Sequence, residues 1–259
     1  MKRTYTSIPV SLCEFALVNR KINQVKLYIY LKLISDGYVV MGNGCRYKQW
    51  SDAIGVHEKT VKSSFKWLVQ QKWITVNSNR NAIRIISYKN LSRKLGLNLK
   101  TGYLCEVEQV RDFKQLKALC CAIVITYYLD RKRFFDKRQS GRITGRPITN
   151  CKKKRTFYPM PNSYLAHCTK VSIATAYRYK HEAKMSRLIK TKSNDSILET
   201  LQGEKISLDL YSIVLKGILN DEQPNRLKKG KNCLKWEEAT LIKSNLITKK
   251  KEYVVKGKN

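Results

Sequence analysis

The stretch that most restricts the fold of this chain runs from Trp50 to Ile74. It predicts a short helix ending at Ile54, a turn at Gly55, and a second helix opening near His57. Glycine tolerates the left-handed backbone that so sharp a reversal needs. In the second helix Val61, Phe65 and Leu68 recur at i, i+4 and i+7, which places them on one buried face. Lys59, Lys62, Ser63 and Lys66 fall on the opposite face.

The flanking sequence extends the pattern. Ile22–Ser35 reads as a strongly buried helix that ends before Gly37, and Val39–Tyr47 as a short extended segment with glycines. After Trp73 and Ile74, two β-prone runs surround an Asn-rich turn and read as a hairpin. Its tip is Asn77–Asn81, with Arg80 as the only charge.

Leu165–Ile189 repeats the opening motif at an offset of 115 positions. Trp50 aligns with Leu165, Val56 with Val171, Thr60 with Thr175, Val61 with Ala176, and Leu68 with Ala183. Trp73-Ile74 aligns with Leu188-Ile189. The copy departs in two places: Lys170 replaces the turn glycine, and Lys180 stands where Phe65 is buried, leaving Tyr179 to take over the packing. The polar run after Ile189 predicts only a short second hairpin.

Elsewhere the reading is coarser. Residues 91–105 look like a linker, and Glu106–Phe135 like one long helix that is apolar in its middle. Between Arg131 and Arg155 lie 11 Lys/Arg in 25 residues against one acid, Asp136, with Gly141, Gly145 and Pro147 interrupting. This predicts a basic loop, either a phosphate-tracking arm or a solvated insertion. Lys205–Leu219 reads as a further helix, and residues 221–259 as a Lys-rich segment that either closes the second core or dimerises.

Charge decides between classes of partner. The 259 residues carry a formal net charge of +33, spread along the chain, and 42% of residues are hydrophobic. Such a chain has enough apolar residues for a packed core, and its surface suits a phosphate polyanion. An anionic membrane is a weaker fit, because no Lys-rich amphipathic helix or lipidation motif appears. The longest near-apolar run, Ala118–Leu129, is 12 residues, too short to span a bilayer. The eight cysteines form no CxxC and do not cluster with the three histidines, so no metal site is expected. Cys120 and Cys121 read as packing residues. Scattered thiols without a signal peptide point to a cytoplasmic location.

The motif in residues 50–74 resembles the winged helix-turn-helix superfamily of DNA-binding proteins, whose element order is helix, short strand, helix, helix, hairpin. The tandem arrangement is similar to that of the two-domain replication initiators of plasmids and other mobile elements. The resemblance implies a mainly α (α+β) fold of two tandem winged helix-turn-helix domains, each with a small β-hairpin wing, over residues 8–90 and 106–220. It also implies that the second helix of each motif enters a major groove. Carried over by position, the contact candidates are His57, Lys59, Thr60, Lys62, Ser63 and Lys66 in the first domain, with Arg80 on its wing. In the second they are Ser172, Thr175, Tyr177, Arg178 and His181. Arg178 is the residue suited to read guanine, since its fork spans O6 and N7, while lysines set affinity through phosphates. His57 and Ser172 also occupy N-cap positions, so capping is an alternative account of both.

The expected partner is double-stranded DNA, with room for a homodimer or for contact with replication or transcription machinery. No cofactor and no enzymatic activity are expected. The chain has no Gly-x-x-x-x-Gly-Lys-Ser/Thr loop. Its isolated histidines cannot supply a nickase metal site, and Tyr127 and Tyr128 read as core residues rather than nucleophiles. Replication initiator, transcriptional regulator and RNA-binding or ribosome-associated protein remain as rival roles.

Overall fold

The computed structural model describes residues 5–35, 37–40, 46–77, 81–98, 102–106, 115–144, 156–193, 195–197, 207, 227–229, 234–237 and 240–248. The protein is mainly helical with small antiparallel sheets, an α+β arrangement. Strand β1 (Tyr5–Pro9) leads into helices α1 (Val10–Val18) and α2 (Ile22–Leu33). Strand β2 (Tyr38–Val40), helices α3 (Tyr47–Ile54) and α4 (Glu58–Gln70), and strands β3 (Ile74–Asn77) and β4 (Ala82–Ile85) follow. The three strands form one sheet in the order β2-β4-β3. Ile83 is buried at its centre and pairs with both Val39 and Val76. Trp73, fully buried, collects Phe15, Tyr28 and Trp67 around it at ring-centroid distances of 5.8, 5.2 and 5.3 Å.

Residues 91–105 are not a bare linker. Helix α5 (Tyr88–Leu95) is capped by the Ser87 hydroxyl, which accepts the Asn90 N–H at 3.3 Å, and stops at Gly96 in the left-handed conformation. Leu91 anchors it in the core. Strand β5 (Gly102–Glu106) then pairs antiparallel with β1.

Helix α6 spans Leu116–Thr144, so it starts later than Glu106 and continues through the segment expected to be a basic loop. Contacts of Asp136 and Arg133 account for this. Asp136, the one acid there, accepts from Lys132 Nζ (2.7 Å) one turn earlier and from the Tyr158 hydroxyl (2.5 Å). Arg133 donates to the Thr156 carbonyl and lies 5.0 Å from the Tyr158 ring. Burial works to raise the Asp136 carboxyl, but the hydrogen bonds from Lys132 and Tyr158 outweigh it and hold the group below its ordinary range. Residues 145–155 of the expected loop lie outside the described residues.

A second unit follows in the order of the first: α6, strand β6 (Tyr158–Pro159), helices α7 (Asn162–Thr169) and α8 (Ile173–Met185), and strand β7 (Ile189–Lys192). The bounds of α7, α8 and β7 are those of α3, α4 and β3 displaced by 115 positions. The hairpin expected after Ile189 does not close this sheet. Its central strand is β11 (Leu241–Ser244), between β6 and β7, with Ile242 paired to Tyr158 and Thr191. Thr191 stands 115 positions after Val76, so Ile242 occupies the place of Ile83, and both are fully buried. A polar run such as Lys190–Asp195 offers no apolar residue for that central position, so the chain takes it from much later. In between, β8 (Asp195–Ile197), β9 (Leu227–Lys229) and β10 (Leu234–Glu237) form a separate sheet in the order β8-β10-β9. Strand β12 (Ile247–Thr248) returns to pair with β5. The helix expected over residues 205–219 lies outside the described residues except for Ser207.

Helix α6 packs along α1 on one side and α8 on the other, and one continuous buried cluster runs through both units. The Tyr128 hydroxyl is within bonding distance of Glu14 Oε1 (2.8 Å) and the Cys168 carbonyl (3.1 Å), tying α1 to α7. Cys120 and Cys121 are buried in this seam as unbonded thiols, and burial pushes the Cys121 thiol up. Among the described residues no helix is long and apolar enough to cross a membrane.

Candidate nucleic-acid interface

The first unit presents α4 through a tight turn. Gly55 takes the left-handed conformation at φ 65°, and its N–H donates to the Ser51 carbonyl (2.9 Å). His57 then caps α4, its Nδ1 accepting the Lys59 N–H at 3.2 Å. Val61, Phe65 and Leu68 are buried against α2 and α3, which leaves Lys59, Lys62, Ser63 and Lys66 facing outward. Thr60 is half-buried, and its carbonyl accepts the Ser63 hydroxyl at 3.0 Å. Lys62 is engaged by Glu58 one turn earlier (2.7 Å), and the hydrogen bond from Lys62 lowers the Glu58 carboxyl below its usual range. Among the described residues no carboxylate pairs with Lys59 or Lys66.

The second unit rebuilds this frame from different residues. Lys170 adopts the left-handed conformation of Gly55, at φ 55°, and Arg187 matches Lys72 at φ 57° and 53°. Ser172 caps α8: its hydroxyl accepts the Thr175 N–H at 3.2 Å and lies 2.9 Å from Thr175 Oγ1. The backbone bonds also recur. Val171 N–H donates to the Ala166 carbonyl as Val56 does to Ser51, and Leu188 to Ala183 as Trp73 does to Leu68. Tyr179 is buried as expected, and so is Lys180, whose ammonium donates to the Met160 carbonyl. Burial pushes that ammonium down to about 8.

The outward faces of the two helices differ in chemistry. On α8 Tyr177, Arg178 and His181 are exposed, with Tyr177 stacked on His181 at 6.4 Å and 29°. Thr175 is half-buried and shares its hydroxyl with the cap. Thus His57 and Ser172 are committed to capping, while the remaining candidates on α4 and α8 line two outward faces. Arg80 lies outside the described residues. Ile173, which is not among the sequence candidates, is 59% exposed at the start of α8 and one turn before Tyr177. Its signal was the offset itself, because Ile173 occupies the position of Glu58 and so belongs to the outward face. One face therefore carries three lysines. The other carries Arg178 and Lys184 among Ile173, Tyr177 and His181.

No family model, curated protein or solved structure matches this chain.

Proposed function

We propose that the chain is a sequence-preferring duplex-DNA-binding protein made of two tandem winged helix-turn-helix units, with α4 and α8 as its recognition helices. The observation that carries this reading is the recurrence, at a fixed offset of 115 positions, of a helix, a left-handed turn, a capped helix and a strand, on a chain of net charge +33. A buried inner face and a solvent-exposed outer face on the second helix are what insertion into a major groove requires. Lys59 and Lys66 supply phosphate contacts. Arg178 supplies base readout, with the exposed Ile173 and Tyr177 suited to apolar contact with thymine methyl groups.

Two unlike outward faces suit a site with two unlike halves or an array of direct repeats. Initiation of replication of a plasmid, phage or other mobile element is the role we assign on that ground. Transcriptional regulation is the second reading, and a single operator would distinguish it. The test begins with duplexes enriched from a random pool. Arg178→Ala should reduce discrimination between enriched and random duplexes by about 1–3 kcal/mol, while Lys59→Ala should weaken both alike. Equal affinity of the unaltered chain for single-stranded RNA of the same length would overturn the proposal.

A further inference from the structure

The first unit holds a cleft of about 480 Å³ away from the outward face of α4. Its floor is the solvent side of the sheet, where Tyr38, Arg84 and Thr75 stand in one row across β2, β4 and β3. Lys32 from the end of α2 and Lys72 from the turn after α4 complete a set of three cations with Arg84. Ser87 and Asn90, from the capped N-terminus of α5, line the opposite side. None of the candidate residues on α4 lines it.

Two features make this an anion site rather than a basic surface. First, among the described residues no carboxylate pairs with Lys32, Lys72 or Arg84, so their charge is available to a ligand. Second, the partial positive charge of a helix N-terminus adds to the three cations at α5. Lys32 is half-buried against the Tyr88 ring at 5.4 Å, and that burial lowers its affinity for its proton. An anion alongside would offset the penalty.

We propose that this cleft binds a phosphate group, from a phosphorylated small molecule of mononucleotide size or from the backbone of bound DNA. Its volume falls within the range of about 300–1,000 Å³ that small-molecule sites occupy. The site is separate from the groove-facing helices, so its small-molecule arm stands apart from the proposed DNA reading, while its backbone arm rests on that reading.

The turn supplies a variant that spares the fold. Lys72 holds a left-handed backbone at φ 53°, which glycine adopts without strain, so Lys72→Gly removes a cation and relaxes the turn. Binding of adenosine monophosphate and of inorganic phosphate to the full chain is measured by calorimetry at fixed salt. Duplex affinity is measured alongside for Lys72→Gly, Arg84→Gln and the control Lys94→Gln. For a small-molecule source, adenosine monophosphate binds one to one, Lys72→Gly and Arg84→Gln each weaken it at least tenfold, and the control and duplex affinity are unchanged. For a backbone source, the two cleft variants weaken every duplex alike and each lowers the salt slope by about one. The proposal is overturned if the two variants match Lys94→Gln in both phosphate and duplex binding.

Discussion

Lys180 replaces an apolar core residue of the first unit with a buried ammonium. Its counterpart Phe65 fills an apolar site, whereas Lys180 brings an ammonium into the same place with the Met160 carbonyl as acceptor. Burial depresses its folded value from 10.5 to about 8. Below pH 8 the ammonium is charged in both folded and unfolded chains, and the folded state bears the full penalty. Between pH 8 and 10.5 the unfolded chain binds more protons, so stability rises with pH across that window. Above pH 10.5 the trend reverses, because burial raises the phenols of Tyr28, Tyr88 and Tyr128, which favours their neutral form in the folded state. Lys180→Met should therefore raise stability at pH 7 by about 1–3 kcal/mol and flatten the rise between pH 8 and 10. Denaturant melts of both proteins at pH 7, 8, 9 and 10 check this. An unchanged pH profile in the variant would contradict it.

At the scale of elements, the sequence was most legible where neighbouring residues decide the structure. The α3–α4 pair, its Gly55 turn, the hairpin β3–β4 and the repeat around α7 and α8 all follow from periodicity and turn chemistry over short spans. The faces carrying Lys59, Lys66, Tyr177, Arg178 and His181 were legible for the same reason. Long-range pairing was not. Nothing in Leu241–Ser244 marks it as the partner of strands more than 40 residues earlier, since four residues without clear alternation fit many sheets. Sequence alone ends helix α6 at Phe135, because Gly141 and dense positive charge argue for a loop. The Asp136 contacts that fix this part of the helix come from Tyr158 as well as Lys132. Helix α5 was readable from Ser87 and Gly96, but its eight residues bury only Leu91. The late strand gives a direct prediction. Ile242→Ala should cost about 2–5 kcal/mol, as Ile83→Ala should in the first sheet. A cost below about 0.5 kcal/mol in equilibrium unfolding would contradict the role of β11 in closing the second unit.

At the scale of the molecule, α6 joins the units into one body: its apolar half is shared by α1 and α8, and the Tyr128 hydroxyl reaches Glu14 of α1 and Cys168 of α7. Under the proposed function, one buried core shared by the two units would let the outward faces of α4 and α8 engage a polyanion as a unit. Phosphate contacts would then come from both helices, and their number is set by the molecule rather than by either motif. The most direct test of that claim is the salt dependence of duplex affinity. Log affinity should fall linearly with log salt, with a slope of magnitude roughly 5–10 if about six to ten phosphates are engaged. Replacing Lys59 and Lys66 together by alanine should lower the magnitude by about two. A flat dependence, or a slope unmoved by the double substitution, would contradict binding of duplex DNA through these helices.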